Sequence, residues 1–429
     1  MSLYELPPAT PEPTPPFAAS ESDPQMIALQ EAVRAVMAVE ITDQIASGDH
    51  SGLLFRGQLV LPATEAALYL EERLTPLGYS AFLQREGEVD TVLVVPGIAD
   101  ADQAAPGGGP LRRAVRASGR SPLWLHIALL LATIASTVYA ASFLLNGADL
   151  GLAEALAAGG PFALTLLFIL GVHEMGHYLA ARRHGVKVTL PFFIPLPIPG
   201  SLGTMGAVIF IRSALKTRRA LFDVGISGPL AGLVVALPMF VIGLLLPPIT
   251  FGAPINLIFR GVGVPPLLEA LGAPLVESSL SRAILLHPVA LAAWFGVLLT
   301  ALNLLPLGQF DGGHVAYALF GRRAWPLAYL VLGMLALAGI FFWPTWLVWA
   351  VLASLTGLRH PPPHDDITPL DIRRRILGWL TILIFLLIVV PRPIISRQVL
   401  TVNPNASPIP TLVVPNIPTP TPFDPGAYK

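Results

Sequence analysis

Residues 161–183 read PFALTLLFILGVHEMGHYLAARR, an apolar stretch that contains three ionisable side chains, His173, Glu174 and His177, ahead of its basic end. A membrane-spanning helix needs about 20 predominantly apolar residues. Ionisable side chains within such a helix are costly, and they usually face a functional site or a water-filled cavity. The stretch therefore predicts a transmembrane helix that carries a site.

These three side chains form the pattern H-E-x-x-H. On a helix, residues i and i+4 lie one above the other, so His173 and His177 can hold one metal ion. Glu174 lies about 100° around the helix from His173, close enough to act on a water at that metal. Imidazole and carboxylate ligands suit zinc, so we expect Zn²⁺. The alternative is a helix with incidental polar residues, which the apolar surroundings make expensive.

A catalytic zinc ion usually has three protein ligands and one open position, so two histidines leave one ligand to be found. Asp311 is a candidate, since Gly312 and Gly313 directly after it allow a tight backbone turn. The alternative for an aspartate before two glycines is a simple loop cap. His314 and His287 are rival ligands.

Six further apolar stretches are candidate membrane spans. Together with residues 161–183 they predict a polytopic α-helical membrane protein with about six to seven transmembrane helices. The fifth and sixth spans meet at Trp343-Pro344 and form either two spans or one broken span. The further candidates are residues 123–146, 222–246, 288–306, 325–342, 345–358 and 373–391.

Positive charges predict the orientation of the chain. If the N-terminus is cytoplasmic and seven spans alternate, most of the Arg and Lys residues that flank the spans fall inside, as the positive-inside rule requires. We therefore expect an N-in, C-out protein of the bacterial cytoplasmic membrane. The inside cations include Arg112, Arg113, Arg116, Arg120, Arg212, Arg218 and Arg219.

The regions outside the membrane differ in composition. Residues 26–97 predict a small soluble α+β domain, with helices in 26–40 and 63–74 and strands in LLFRGQLVL, SAFLQ and TVLVVPG. The other predicted regions are a disordered Pro-rich tail at 1–25, a linker at 98–122, the membrane domain at 123–391 and a second Pro-rich tail at 392–429.

Residues 186–213 (VKVTLPFFIPLPIPGSLGTMGAVIFIRS) are apolar but contain too much Pro and Gly for a helix. Non-helical backbone at membrane depth must be buried in protein or line a cavity. We therefore predict a re-entrant β-hairpin whose free edge pairs with an unwound substrate, the alternative being an ordinary surface loop.

Composition excludes other classes. The 429 residues are 54% apolar and 12% charged, against about 25% charged in an average soluble protein. The net charge of -1 gives no basic field for nucleic acid, and the absence of cysteine excludes thiol chemistry.

At three places the chain resembles the site-2 protease family of intramembrane zinc metalloproteases. HEMGH resembles the family's zinc-binding motif, FDVGISGPLAGL (222–233) its third-span motif, and NLLPLGQFDGGH (303–314) its N-x-x-P…D-G segment. The resemblance implies His173, His177 and Asp311 as zinc ligands, Glu174 as general base and Asn303 as a substrate-positioning residue. A PDZ-like segment is not recognisable, and the soluble N-terminal region is similar to the plastid and cyanobacterial branch.

The resemblance implies cleavage of single-span membrane proteins near the cytosolic face, in regulated intramembrane proteolysis, with the lipid bilayer as surroundings and no nucleic-acid partner. Two other classes use the same features. Buried His and Asp also mark ion transporters, although the repeated halves expected of one are not recognisable. A catalytically inactive scaffold that binds partners through residues 26–97 is the second alternative.

Overall fold

The structure, a computed structural model, describes most of the chain between Pro24 and Pro393. The predicted tails 1–25 and 392–429 and the linker 98–122 lie almost entirely outside the described residues. The described ranges are 24–47, 50–96, 122–146, 151–199, 201–213, 215–247, 263–274 and 287–393.

The N-terminal part combines one antiparallel sheet with two helices. The strands lie in the order β1-β2-β4-β3, and the side chains of Leu29, Val33, Leu70 and Phe55 form a buried core between helices and sheet. The elements are α1 (Pro24–Arg34), β1 (Met37–Ser47), β2 (His50–Leu59), α2 (Ala63–Leu74), a 3₁₀ turn (Thr75–Leu77), β3 (Tyr79–Glu86) and β4 (Val89–Pro96).

The predicted helix in residues 26–40 is too long. Helix α1 ends at Arg34, and β1 begins at Met37, which pairs with Leu59 of β2. The segment after Arg34 is rich in β-branched residues such as Val39 and Ile41, which favour a strand. Cross-strand pairing with β2 therefore overrides the helical spacing, and β1 is a strand that the sequence pattern did not predict.

The remaining part is helical. Among the described residues, four helices are long and apolar enough to cross a membrane, namely 123–144, 152–183, 218–245 and the nearly continuous 311–341. The elements are α3 (Leu123–Asn146), α4 (Leu152–Arg183), α5 (Arg218–Leu245), α6 (Pro266–Gly272), α7 (Pro288–Asn303), α8 (Asp311–Phe320), a 3₁₀ turn (Gly321–Arg323), α9 (Ala324–Phe341), α10 (Thr345–Thr356) and α11 (Ile372–Ile388).

Helices α7 and α10 are apolar but short. At 1.5 Å per residue, the 12 residues of α10 extend about 18 Å, less than the roughly 30 Å of a bilayer's hydrocarbon core. Helices α9 and α10 are separate and pack against each other, since a Cβ on Gly339 would lie 2.5 Å from Leu347. The count of six to seven spans stays a prediction.

Helices α4, α5 and α7 pack against one another and form the centre of the helical part. Their shared core contains Ile169, Ala236, Phe240 and Trp294. The outer helices present exposed apolar side chains, such as Leu337 of α9, on the opposite side. An apolar core inside an apolar exterior is the arrangement expected of an integral membrane protein.

Residues 186–213 contain the predicted pair of strands. Strand β5 (Phe192–Pro195) pairs antiparallel with β6 (Thr204–Val208), and Val188 makes a further bridge to Ile211. The hairpin packs on α3, where the Ser136 hydroxyl donates a hydrogen bond of 2.7 Å to the Gly203 carbonyl. Whether the hairpin enters the bilayer stays a prediction.

The loop between α10 and α11, residues 357–371, joins the two parts of the protein. The Leu83 N–H of β3 donates to the His364 carbonyl at 2.7 Å, and the Asp366 N–H donates back to the Leu83 carbonyl at 3.1 Å. The loop thus pairs with the edge of the N-terminal sheet. On the membrane side, the Asp366 carboxylate accepts hydrogen bonds from Arg218 at 2.7 Å and from Tyr317 at 2.9 Å.

Candidate metal centre

Helix α4 presents the three side chains of the HExxH pattern to the interior of the bundle. His173, Glu174 and His177 are each less than 9% exposed. The two imidazoles lie one helical turn apart with their Nε2 atoms 3.1 Å from each other. Two ring nitrogens this close, in a buried position, are suited to share one cation.

Asp311, the first residue of α8, completes the group. Its Oδ2 atom lies 3.3 Å from Nε2 of His173 and 3.2 Å from Nε2 of His177. Ligand atoms about 2.0–2.2 Å from a tetrahedral zinc ion are separated by about 3.3–3.6 Å. The two histidines and the aspartate form a triangle with edges of 3.1–3.3 Å, close to this size, and they are the one such group among the described residues.

A hydrogen bond to a neighbouring helix fixes the orientation of the His177 ring. Nδ1 of His177 lies 2.7 Å from the Val224 carbonyl of α5, which can only accept, so Nδ1 carries the proton and Nε2 is free for a metal. The Asn303 amide nitrogen, at the end of α7, lies 3.3 Å from Nε2 of His173. Three helices thus position the HExxH side chains.

The glycines of residues 222–233 allow α5 to approach these rings closely. A Cβ on Gly228 would lie 2.0 Å from Nε2 of His177, and one on Gly232 would lie 3.2 Å from Nδ1 of His173. In return, Gly176 of α4 faces the Ser227 carbonyl, 2.5 Å from where its Cβ would be. The motif therefore has a steric role, because side chains at these positions would push α5 away from the site.

This steric role predicts that Gly228→Ala weakens metal binding. The added methyl group cannot fit 2.0 Å from the His177 ring, so the ring or α5 must move. We expect at least a tenfold rise in the Zn²⁺ dissociation constant, corresponding to about 1.4 kcal/mol, measured by competition with a zinc indicator in detergent.

The matched control is Gly333→Ala in α9, where a Cβ would have no neighbour within 4 Å. That variant should bind zinc like the wild type. Equal zinc affinity in the Gly228 and Gly333 variants would show that α5 does not constrain the histidine ring.

Gly312 and Gly313 place Asp311, but not through the tight turn that the sequence predicts. Both lie in the first turn of α8. A Cβ on Gly312 would lie 2.0 Å from the Leu304 carbonyl oxygen, and one on Gly313 would lie 2.3 Å from the Gly308 carbonyl oxygen. The glycines are thus required because α8 begins directly against the loop that follows α7.

A cavity of about 440 Å³ opens beside the metal-binding triangle. Glu174 reaches this cavity and accepts a hydrogen bond from the Ile209 backbone N–H. The opposite wall is the chain from Ala207 to Ile211, at the end of β6. The remaining lining residues are His173, His177, Val224, Asn303, Gln309, Phe310, Asp311 and His314.

Neither of the two rival ligands is part of the triangle. His287 precedes α7, and its Nδ1 accepts a hydrogen bond from the Val289 N–H. The 16 residues of α7 place it about 24 Å from the Asn303 end that contacts the site. His314 lines the cavity but directs Nδ1 to His360, 2.6 Å away, and it is not part of the triangle.

Several residues of the site could not be predicted from the sequence. Gln309 and the wall at 207–211 line the cavity, and His360 lies behind it against His314. His360 is in a Pro-rich loop without helical or strand periodicity, so no pattern in the sequence connected it with the HExxH helix.

A HExxH helix in an apolar bundle, with a carboxylate beside its two histidines as a third possible ligand, is an arrangement typical of membrane-embedded metallopeptidases. Residues 161–342 match the family described as Peptidase family M50. This part of the chain is therefore similar to the M50, or site-2 protease, family, which the three sequence motifs also resemble.

Curated relatives agree with this similarity. The chain is 34% identical over 249 residues to "Probable zinc metalloprotease EGY2, chloroplastic" of Arabidopsis thaliana. The aligned residues cover 56% of this chain and 43% of the relative. "Probable zinc metalloprotease EGY1, chloroplastic" of the same plant is 31% identical over 242 residues, covering 54% and 42%. The chain thus spans less than half the length of these relatives. No solved structure matches.

Proposed function

We propose that this protein is a zinc metalloendopeptidase that cleaves membrane-spanning substrates near the cytosolic face. The observation that carries the proposal is the buried triangle of His173, His177 and Asp311, with ligand atoms 3.1–3.3 Å apart beside Glu174 and a cavity. Nitrogen and carboxylate donors in this number and spacing suit Zn²⁺, the metal in the names of the relatives.

Each polar residue of the site has a role in peptide hydrolysis. When bound, zinc would act as a Lewis acid that polarises the peptide carbonyl, and it would lower the pKa of a water molecule that it binds. Glu174 takes the proton from the attacking water and passes it to the leaving nitrogen. Asn303 directs its amide toward His173 and the cavity, where its N–H donors can orient the substrate carbonyl.

The shape of the cavity supports an extended substrate. A volume of about 440 Å³ accommodates a few residues of extended chain, whereas an intact helix with side chains is about 10–12 Å wide. Among the described strands, β6 has one neighbour, β5, and the chain from Ala207 to Ile211 borders the cavity. An unwound substrate segment therefore binds beside β6 by adding a strand.

The proposed orientation follows from the charges. Arg182, Arg183 and Arg218 lie at the ends of α4 and α5 that are nearest to the HExxH motif and to Asp311. Under the positive-inside rule this end faces the cytosol, with the N-terminal domain on the same side. Single-span membrane proteins then present the cytosolic end of their span to the site, which is the arrangement used in regulated intramembrane proteolysis.

Metal removal tests the proposal. The substrate is a synthetic single-span peptide with an Asn-Gly pair near one end of its apolar stretch, reconstituted with the purified protein in detergent or liposomes. We expect cleavage in the apolar stretch, loss of at least 95% of the rate with a zinc chelator, and recovery on addition of about one equivalent of Zn²⁺.

The control is the same peptide with Leu-Leu in place of Asn-Gly, which holds its helix and should be cut more slowly. Cleavage that persists in the chelator would contradict the proposal. Stoichiometric zinc without cleavage of any such peptide would favour the scaffold alternative.

A further inference from the structure

His314 and the buried His360 form a pair next to the cavity that the proposed hydrolysis does not use. Nδ1 of His314 lies 2.6 Å from Nε2 of His360, and the ring centroids are 4.8 Å apart at an interplanar angle of 79°. His314 lies on α8 one turn after Asp311, so both side chains project toward the same region. His360 belongs to the loop between α10 and α11.

The hydrogen-bond partners fix the tautomers of both rings. Nδ1 of His360 lies 2.5 Å from the Pro361 carbonyl, and a carbonyl oxygen can only accept, so this Nδ1 carries a proton. Burial, and then the neighbouring His314, lowers the pKa of His360 to about 3, so its ring is neutral near pH 7 and Nε2 is an acceptor. His314 must then donate from Nδ1, which leaves its own Nε2 without a proton.

His360 is held firmly enough to impose this arrangement. His360 is 6% exposed, and its ring lies 5.0 Å from the Tyr317 ring, centroid to centroid. The His360 carbonyl accepts a hydrogen bond of 3.2 Å from the Trp325 indole. The same loop is fixed further along by Asp366, which accepts from Arg218 and Tyr317. His360 is therefore a fixed acceptor, not a side chain free to follow His314.

His314 is the member of the pair that reaches the cavity. It is partly exposed and lines the space between the HExxH helix and the chain from Ala207 to Ile211. Most other polar groups around the cavity are the metal-binding triangle, Glu174 and the amide side chains of Asn303 and Gln309. A neutral imidazole with an unprotonated nitrogen accepts a hydrogen bond from an N–H group without adding charge.

We propose that His314, held in one tautomer by His360, binds substrate by accepting a hydrogen bond from a backbone N–H close to the scissile bond. This deepens the proposed function and rests on it. The ligand chemistry is an unpaired peptide amide. In a helix the backbone N–H groups are already bonded to carbonyls four residues earlier, so His314 recognises only a segment that has unwound.

Two substitutions of His314 distinguish the roles of its two ring nitrogens. His314→Asn places an amide near the Nδ1 position and keeps a donor to His360, but it has no group at the Nε2 position. His314→Gln reaches the Nε2 position with an amide oxygen and keeps an acceptor for the substrate. We expect kcat/KM to fall about tenfold or more in the Asn variant and by less than about threefold in the Gln variant. Zinc content and melting temperature should stay near wild type in both.

A change in the substrate tests the same hydrogen bond from the other side. In the cleaved single-span peptide, each amide near the scissile bond is replaced in turn by an ester, which removes one N–H. An ester at one of these positions should slow cleavage by the wild type about tenfold. It should hardly change cleavage by the Asn variant, because that variant already lacks the acceptor for the N–H group. Equal slowing of both proteins at every position would overturn the proposal.

The tautomer can be measured without any turnover. In ¹⁵N-histidine-labelled protein, long-range nitrogen–proton correlation spectra distinguish protonated from bare ring nitrogens. We expect His314 protonated on Nδ1 in the wild type and redistributed between tautomers in His360→Phe, with His360→Gln restoring the wild-type pattern. A proton on Nε2 of wild-type His314 would overturn the proposal, whereas failure to cleave any peptide would count against the proposed function alone.

Discussion

Glu174→Gln is expected to abolish cleavage while the protein keeps its metal. Glu174 lies beside His173 and reaches the cavity, but it is not part of the triangle of ligand atoms. Glutamine has almost the same shape and cannot take a proton from water. General-base catalysis typically contributes about 10²- to 10⁴-fold, so the rate should fall by this factor. The measurement combines zinc analysis with the rate of peptide cleavage.

The matched control is Glu154→Gln in the first turn of the same helix. Glu154 is exposed and lies more than five turns from the HExxH motif, so neither zinc content nor rate should change. If the Glu174 variant cut peptides within about threefold of the wild-type rate, another group would have to be the base.

Asp311→Ala and His177→Ala are expected to leave the purified protein nearly free of zinc. Each change removes one corner of a three-ligand triangle. Structural zinc sites with four ligands bind with about 10–16 kcal/mol, or roughly 3 kcal/mol for each ligand, so affinity should fall more than about a hundredfold. Zinc per chain after dialysis, measured by elemental analysis, should fall from about one to near zero.

Two controls make this result specific. His287→Ala removes a histidine near the opposite end of α7, and Asp43→Ala removes an exposed carboxylate of the N-terminal sheet. Both should keep one zinc per chain. If the Asp311 variant kept its full zinc content, His314 would become the candidate for the third ligand, because it is the remaining histidine that lines the cavity.

The HExxH helix could be predicted from the sequence because its signal is local. His173, Glu174 and His177 lie within five residues of one apolar stretch, and the cost of burying them already indicates a site. The third metal ligand could not be assigned from residue types alone, since Asp311, His314 and His287 were all suitable. The distances from His173 and His177 distinguish the three candidates, and these distances depend on how α8 packs against α4.

Other features depend on contacts between distant segments. The glycines at 222–233 formed a recognisable motif, but their steric role becomes visible only in the packed structure, where a Cβ on Gly228 would lie 2.0 Å from Nε2 of His177. Strand β1 was missed because pairing with β2 outweighs helical spacing after Arg34. No sequence pattern indicated His360, because its contact with His314 joins two residues that are 46 positions apart in the chain.

The pairing of the α10–α11 loop with β3 has a thermodynamic consequence. Leu83 holds the loop at His364 and Asp366, and four residues before His364 the same loop positions His360 against His314. If a partner that binds β3 shifts this pairing and with it the position of His360, a coupling free energy links the two places. The reverse also holds, because coupling between two sites is reciprocal. Under the role proposed for His314, substrate and such a partner would therefore change each other's affinity by the same factor.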